Sequence, residues 1–342
     1  MRFGPVPLDQ AEGKILGHNI AGPDGRRAFK KGKPLTAGDV TALCNIGRKV
    51  VYVAEVESDD VGENTAALRV AQVAWGGDFR LSGPASGRVN SSVTTRGVLR
   101  VDAERLALIN ECDGITMATL SSHTAVQPRR LVATVKVIPF AVSESVVRRA
   151  ETISAAGGPI IHLDELHACT VSLILSGSLS ARERIKSNFE PPLSIRLAAL
   201  GSEIGDTSFV PLEGQEGEAI LAETLTQQVS AGVDLIVLAG ETAIMDRHDI
   251  APRAVERAGG EVTCFGAPVD PGNLLMLAYL SDVPVLGAPG CVRSRKINVV
   301  DWVLPRLLVG ERLTRADLVA LGHGGLLEEI MERPMPRNTL AD

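Results

Sequence analysis

Apolar positions along this chain change their spacing near residue 168, and the change separates two kinds of architecture. After Ala168 the apolar residues come in short unbroken runs, Thr170 to Leu175, Val233 to Leu238 and Val283 to Leu286, with Glu261 to Phe265 a further strand candidate. Unbroken runs of this length are what strands buried on both faces require. Helical spacing fills the intervals: Leu193 to Leu200 ending at Gly201, Leu221 to Ser230, Ile250 to Ala258 closed by Gly259-Gly260, and Asn298 to Leu308. Strand alternating with helix predicts an α/β domain, a mainly parallel sheet with helices on both faces, whose ligands bind at the carboxyl ends of the strands. Both Pro/Gly-rich loops of this half, Pro268 to Asn273 and Gly287 to Cys291, are expected at those ends, as is the loop after Leu238.

The first half reads as smaller α+β units. Leu8 to Ile20 is expected as a short helix leading into the turn Pro23-Asp24-Gly25. Thr36-Ala37-Gly38-Asp39 has capping-box spacing and opens a helix ending at Gly47, with the strand Lys49 to Ala54 after it. Gly62 to Ala74, Val101 to Asn110 and Ser143 to Ala155 read as helices, Ile115 to Leu120 and Leu131 to Pro139 as strands. Gly76 to Gly97 is rich in Gly, Ser and Thr and gives no clear period, while Gly157-Gly158-Pro159 reads as a linker. The expected domains are therefore 1–60, 61–157 and 165–335.

Composition narrows the function classes. Aromatic residues make up 3% and the net charge is −6, which excludes base-stacking platforms and a generally basic nucleic-acid surface. No apolar stretch has the length of a membrane span, and Met1 to Ile20 lacks the pattern of a signal peptide. Five scattered cysteines, none at CxxC spacing, fit reduced thiols and a cytoplasmic location. His162-Leu163-Asp164-Glu165-Leu166-His167 is not H-E-x-x-H and runs into a strand rather than a helix. Dinucleotide, P-loop and G-x-S-x-G signatures are missing as well.

Against that background one local feature points to an anion. Glycines let backbone N–H groups approach a ligand, and Gly287 to Cys291 runs into Val292-Arg293-Ser294-Arg295-Lys296, with three cations in four positions where a helix is expected to begin. The loop Ala239 to Asp249 offers Gly240 and Thr242 as oxyanion donors. Its Asp246 and Asp249 either bind Mg²⁺ or act on an attacking or leaving group, or Asp249 simply caps the helix at Ile250. Asp270, Pro271, Gly272 and Asn273 are equally good turn chemistry, the cations equally a solvated face, and Cys291 reads as structural.

Taken together these segments resemble the molybdopterin-binding domain family of molybdenum cofactor biosynthesis. The resemblance runs from Val171 to Leu308 and is tightest between Gly232 and Leu304. It is carried by Gly232 to Gly240, by Asp246-Arg247-His248-Asp249-Ile250-Ala251-Pro252, by Pro268 to Asn273, and by Gly287 to Lys296 with Asp301-Trp302-Val303-Leu304. Leu8 to Ile20 and Gly32 to Val53 are more weakly similar to the extra domains of molybdopterin molybdenumtransferases. The resemblance implies a three-layer αβα domain and a pterin-phosphate ligand, molybdopterin or its adenylylated form. It further implies molybdate and Mg²⁺ as reaction partners, Asp249 as the metal or catalytic carboxylate, and Asp246 beside it. Gly240, Glu241 and Thr242, Asp270 to Asn273, and Pro289, Gly290 and Cys291 would line the ligand, with Arg293 and Lys296 neutralising charge and Ser294 donating a hydrogen bond. A homo-oligomer serving a molybdoenzyme client is the implied setting. The family's usual Thr-Gly-Gly is replaced here by Leu238-Ala239-Gly240 followed by Glu241, which favours binding over turnover.

Overall fold

A computed structural model describes residues 1–74, 77, 79–212 and 216–327. Gly76, where the unassigned Gly/Ser/Thr-rich stretch begins, and residue 335, the expected end of the last domain, lie outside them. The structure is mixed α/β with several sheets, and the chain divides into two compact units. The first comprises residues 1–95, 99–122 and 126–163, the second residues 96–98, 123–125 and 164–342.

Within the first unit, Arg2–Pro7, Val50–Glu55 and Ile15–Leu16 form an antiparallel sheet. The helix Ala37–Asn45 starts at Thr36 with the expected capping box and stops at Gly47, whose φ of +80° suits glycine. Leu8 to Ile20 is not a helix. Only Leu8–Gln10 makes a 3-10 turn, and the chain then gives two short strands, Ile15–Leu16 and Ile20–Ala21. Pairing of Ile15 and Leu16 with Ala54 and Val53 overrides the local helical spacing. Four antiparallel strands, in the order Ile115–Thr119, Leu131–Val137, Arg88–Val93 and Phe79–Leu81, share a buried cluster with the helices Glu63–Ala74 and Glu144–Ala155. Val101 ends a strand rather than starting a helix: Asp102 caps the helix Ala103–Asn110 by accepting the Arg105 N–H.

The second unit holds the six-stranded sheet. In chain order its elements are β1 (Thr170–Gly177), α1 (Arg182–Leu200), β2 (Glu203–Pro211), α2 (Gly217–Ser230), β3 (Leu235–Gly240), α3 (Ile250–Arg257), β4 (Glu261–Phe265), β5 (Met276–Leu280), β6 (Val283–Gly287), α4 (Val299–Leu308) and α5 (Arg315–Ala320). The strand order is β2-β1-β3-β6-β5-β4. The pairs β1–β2, β1–β3 and β3–β6 are parallel, whereas β5 runs antiparallel to both β6 and β4. Strand–helix alternation therefore does not hold throughout, because β4, β5 and β6 follow one another without a helix. Alternate residues of each strand separate into two cores. Leu173, Leu175, Val237 and Leu286 pack with α1 and α4, and Ile174, Ile236, Leu238 and Val285 with α2 and α3.

Candidate functional site

Parallel β1, β3 and β6, with β4 pointing the same way, end at one edge of the sheet. The loops that follow them, 178–181, 241–249, 288–298 and 266–275, therefore meet there. Backbone hydrogen bonds join them: the Glu241 N–H donates to Ser176 O at 2.8 Å, and the Ala288 N–H to Leu238 O at 2.8 Å. Beside the 241–249 loop lies a cavity of about 40 Å³ lined by Ser176, Gly240, Thr242, Asp249 and Ala288 among others. At roughly 10–15 Å³ per water such a space takes a few waters and no fused ring system. A larger ligand has to lie across the loops.

Close approach explains two of the glycines. Gly240 pairs with Ser176, and a Cβ there would sit 2.9 Å from the Ser176 hydroxyl. At Gly272, φ is +140° and a Cβ would meet Val299 Cγ1 at 2.3 Å, so a side chain is excluded on two grounds. The Pro271 carbonyl in turn accepts the Val299 N–H at 3.3 Å, which docks this loop on the start of α4. Asp270 and Asn273 are exposed beside it.

The acidic residues are already engaged. Asp249 caps α3: Oδ1 accepts the Ile250 N–H at 2.7 Å and Oδ2 the Met245 N–H at 3.1 Å. Asp246 Oδ1 accepts the His248 N–H at 2.7 Å. Glu241, which adds a negative charge beside the glycine, meets partners from the segment after β1. Its Oε2 accepts both the N–H (2.9 Å) and the hydroxyl (2.8 Å) of Ser178, and Arg184 reaches Oε1 at 2.8 Å. These Ser178 bonds, with Arg184 adding its charge, hold the carboxyl below the usual range. Thr242 is exposed on the same loop.

The cationic segment differs from its expected form. Gly290–Arg293 is a 3-10 turn preceded by Pro289, and α4 begins only at Val299. The N-terminus of α4 is closed by the chain itself, since Asn298 Oδ1 accepts the Val300 N–H at 3.0 Å and Asp301 Oδ2 the Asn298 N–H at 2.8 Å. The cations therefore stand on a loop, and the helix end contributes no free donors there. Arg293 donates Nε to Gly290 O at 2.8 Å and lies over the Phe189 ring at 5.7 Å. Ser294 Oγ accepts the Lys296 N–H at 3.1 Å, and Arg293, Ser294, Arg295 and Lys296 are all exposed. Burial pushes the half-buried Cys291 thiol up, which keeps it protonated at neutral pH.

Arg196 organises this loop and was not legible as a site residue. It is 9% exposed and donates to the carbonyls of Val292 (3.0 Å), Ser294 (2.9 Å) and Lys296 (3.0 Å) while pairing with Asp301 at 2.9 Å. Its signal is a charge inside the apolar stripe Ile185, Phe189, Leu193, Leu197 of α1. Among the described residues no three His, Cys, Asp or Glu side chains gather as a metal site, and no helix is long and apolar enough to cross a membrane.

A family model described as a domain of unknown function (DUF8806) matches residues 5–55. No curated protein is detectably similar in sequence. Solved structures give distant matches. A molybdopterin biosynthesis MoeA protein of Pyrococcus horikoshii is 14% identical over 90% of this chain and 75% of its own, with a TM-score of 0.30. A molybdenum cofactor biosynthesis protein of Pyrococcus furiosus is 13% identical over 93% of this chain and 65% of its own, with a TM-score of 0.23. The molybdopterin biosynthesis Mog protein of Mycobacterium ulcerans is 17% identical over 40% of this chain and 91% of its own, with a TM-score of 0.25.

Proposed function

We propose that the second unit is a three-layer αβα domain that binds molybdopterin or its adenylylated form across the loops at the carboxyl edge of its sheet, in molybdenum insertion or cofactor maturation. One observation carries this reading: Gly240, Gly272 and the Gly290 turn come to one edge with three exposed cations, Arg293, Arg295 and Lys296. Phosphate would be held by Arg293, Lys296 and Ser294, and the pterin would lie over the 268–273 and 288–291 loops. The residue resemblance over Gly232 to Leu304 agrees with that assignment. Mg²⁺ fits as a partner shared with the ligand's phosphates. Each Asp249 oxygen accepts one N–H and keeps a second lone pair, and the second oxygen of Asp246 accepts no hydrogen bond among the described residues, so the loop offers one or two positions to an ion that holds several waters.

A carrier that binds the pterin without turnover is the second reading. It is favoured by the cap role of Asp249, which ties both carboxylate oxygens to the backbone. Titrating the protein with molybdopterin tests the binding site itself. Arg293→Ala and Lys296→Ala should each weaken binding by up to about fivefold, the size of a solvent-exposed ion pair, and less at high salt. Unchanged affinity in both variants would remove the cationic loop from the site. Supplying adenylylated molybdopterin, Mg²⁺ and molybdate then separates the two readings: AMP release marks insertion, and tight binding without release marks a carrier.

A further inference from the structure

The first unit contains a cleft of about 1010 Å³ beside the segment Lys30 to Lys33. This is the upper end of the roughly 300–1,000 Å³ range that takes up small organic ligands. Three rings, Phe3, His18 and Phe140, stand in its lining, in a chain that is only 3% aromatic. Phe3 and His18 lie at 5.6 Å between ring centroids, edge to face, and Tyr52, outside the lining, backs His18 at 5.2 Å. Phe3 and Tyr52 remain 48% and 47% exposed. Phe140 stands on the cleft's wall beside Gly32. Gly17 lets the Phe3 ring lie close to the backbone, since a Cβ there would lie 2.7 Å from that ring and push it aside.

The charge of the cleft is also unbalanced. Lys33 is paired with Asp39 at 2.5 Å, and Lys136 donates to the carbonyls of Ser86 and Val137 with Glu63 at 3.5 Å. Lys30 and Lys31 make no ion pair among the described residues, and both are exposed on the rim. Their loop is fastened from behind. The Lys31 N–H donates to Asn19 Oδ1 at 2.8 Å and the Gly32 N–H to Leu16 O at 2.7 Å. Two unneutralised ammonium groups on an anchored loop, facing accessible rings in a protein of net charge −6, select a ligand that is both flat and anionic.

We propose that this cleft binds a phosphorylated heteroaromatic compound of the mononucleotide class, its ring against Phe3, His18 and Phe140 and its phosphates at Lys30 and Lys31. The site is independent of the sheet edge of the second unit. Calorimetric titration of the full chain with ADP, adenosine and inorganic pyrophosphate tests it. ADP should bind at low salt, with adenosine and pyrophosphate each at least about tenfold weaker, because each keeps only one half of the recognition. Lys30→Ala/Lys31→Ala and Phe140→Leu should each weaken ADP severalfold, with circular dichroism and thermal transitions unchanged in the lysine variant. Arg293→Ala/Lys296→Ala should leave ADP binding intact. The proposal is overturned if ADP gives no binding at millimolar concentration, or if pyrophosphate binds as tightly as ADP. Loss of ADP binding in the Arg293/Lys296 variant would equally overturn it, by assigning the nucleotide to the other site.

Discussion

Replacing Arg196 by Met keeps the apolar stem in the α1 stripe and removes one charge that five acceptors of the cationic loop and its helix share. The carbonyls of Val292, Ser294 and Lys296 each lose the guanidinium as a donor, Lys296 keeping Asn298 Nδ2 at 3.2 Å, and Asp301 loses its counter-charge. Stripping one partner from a buried ion pair costs about 3–5 kcal/mol, and one hydrogen bond to a charged group about 1.5–3 kcal/mol. Two features reduce the total. The Asp301 side chain is 27% exposed and still accepts the Asn298 N–H, and Ser294 and Lys296 are exposed enough for their carbonyls to turn to water. A net loss of about 2–4 kcal/mol is expected. Arg196→Lys should recover less than half of it, because an ammonium cannot reach three carbonyls and a carboxylate in the directions a guanidinium does. The assay is guanidinium unfolding followed by Trp302 emission in a Trp75→Phe background, which reports the second unit through α4 and avoids averaging over both units. A loss below about 1 kcal/mol, or full rescue by Lys, would refute the view that this guanidinium organises the loop.

Gly272→Ala should cost about 2–4 kcal/mol from combined backbone strain and overlap with Val299, whereas Gly259→Ala, at φ +87° with open space around it, should cost only about 1 kcal/mol. Equal losses in thermal unfolding would deny the role of loop–helix contact. At Asp39, Lys33 above all, with the N–H and hydroxyl of Thr36, pulls the carboxyl from 3.8 to about 2. A depressed folded-state value stabilises above the unfolded pKa and is lost as pH falls through the folded one. The stability advantage of wild type over Asp39→Asn in urea should therefore hold near neutrality and vanish between about pH 4 and pH 2; a pH-independent difference contradicts it. Asp249→Ala should lose up to about 2 kcal/mol as a lost cap, and Asp249→Asn less than half as much, since the amide oxygen still accepts the Ile250 N–H. Equal losses would mean that the charge, and not the acceptor, matters at this position.

Local patterning anticipated much of the second unit. Unbroken apolar runs marked β1 and β3, which pair on both edges, and the helices α2, α3 and α4 followed the 3.6-residue period. Asp249 is the cap that its place before Ile250 suggested. β2 escaped notice because it is an edge strand with Gly205, Asp206, Thr207 and Ser208 in its middle, so half-solvated positions break the apolar run. In the first unit Leu8 to Ile20 carried helical spacing that pairing with Val53 and Ala54 overrode.

What the chain alone determined, then, is where backbone conformation is locally dictated: buried strands, capped helices, and the glycine positions at 240, 272 and 290 where loops can come close. Tertiary structure decided which charges are spent. Arg196 reaches Asp301 across 105 positions, and Ser178 and Arg184 reach Glu241 across 63 and 57, because strand order places the ends of β1, β3 and β6 together. Periodicity reports how a segment meets its own neighbours within a turn or a pleat. Electrostatic pairing at a sheet edge depends on which segments the topology brings side by side, and that information is not local.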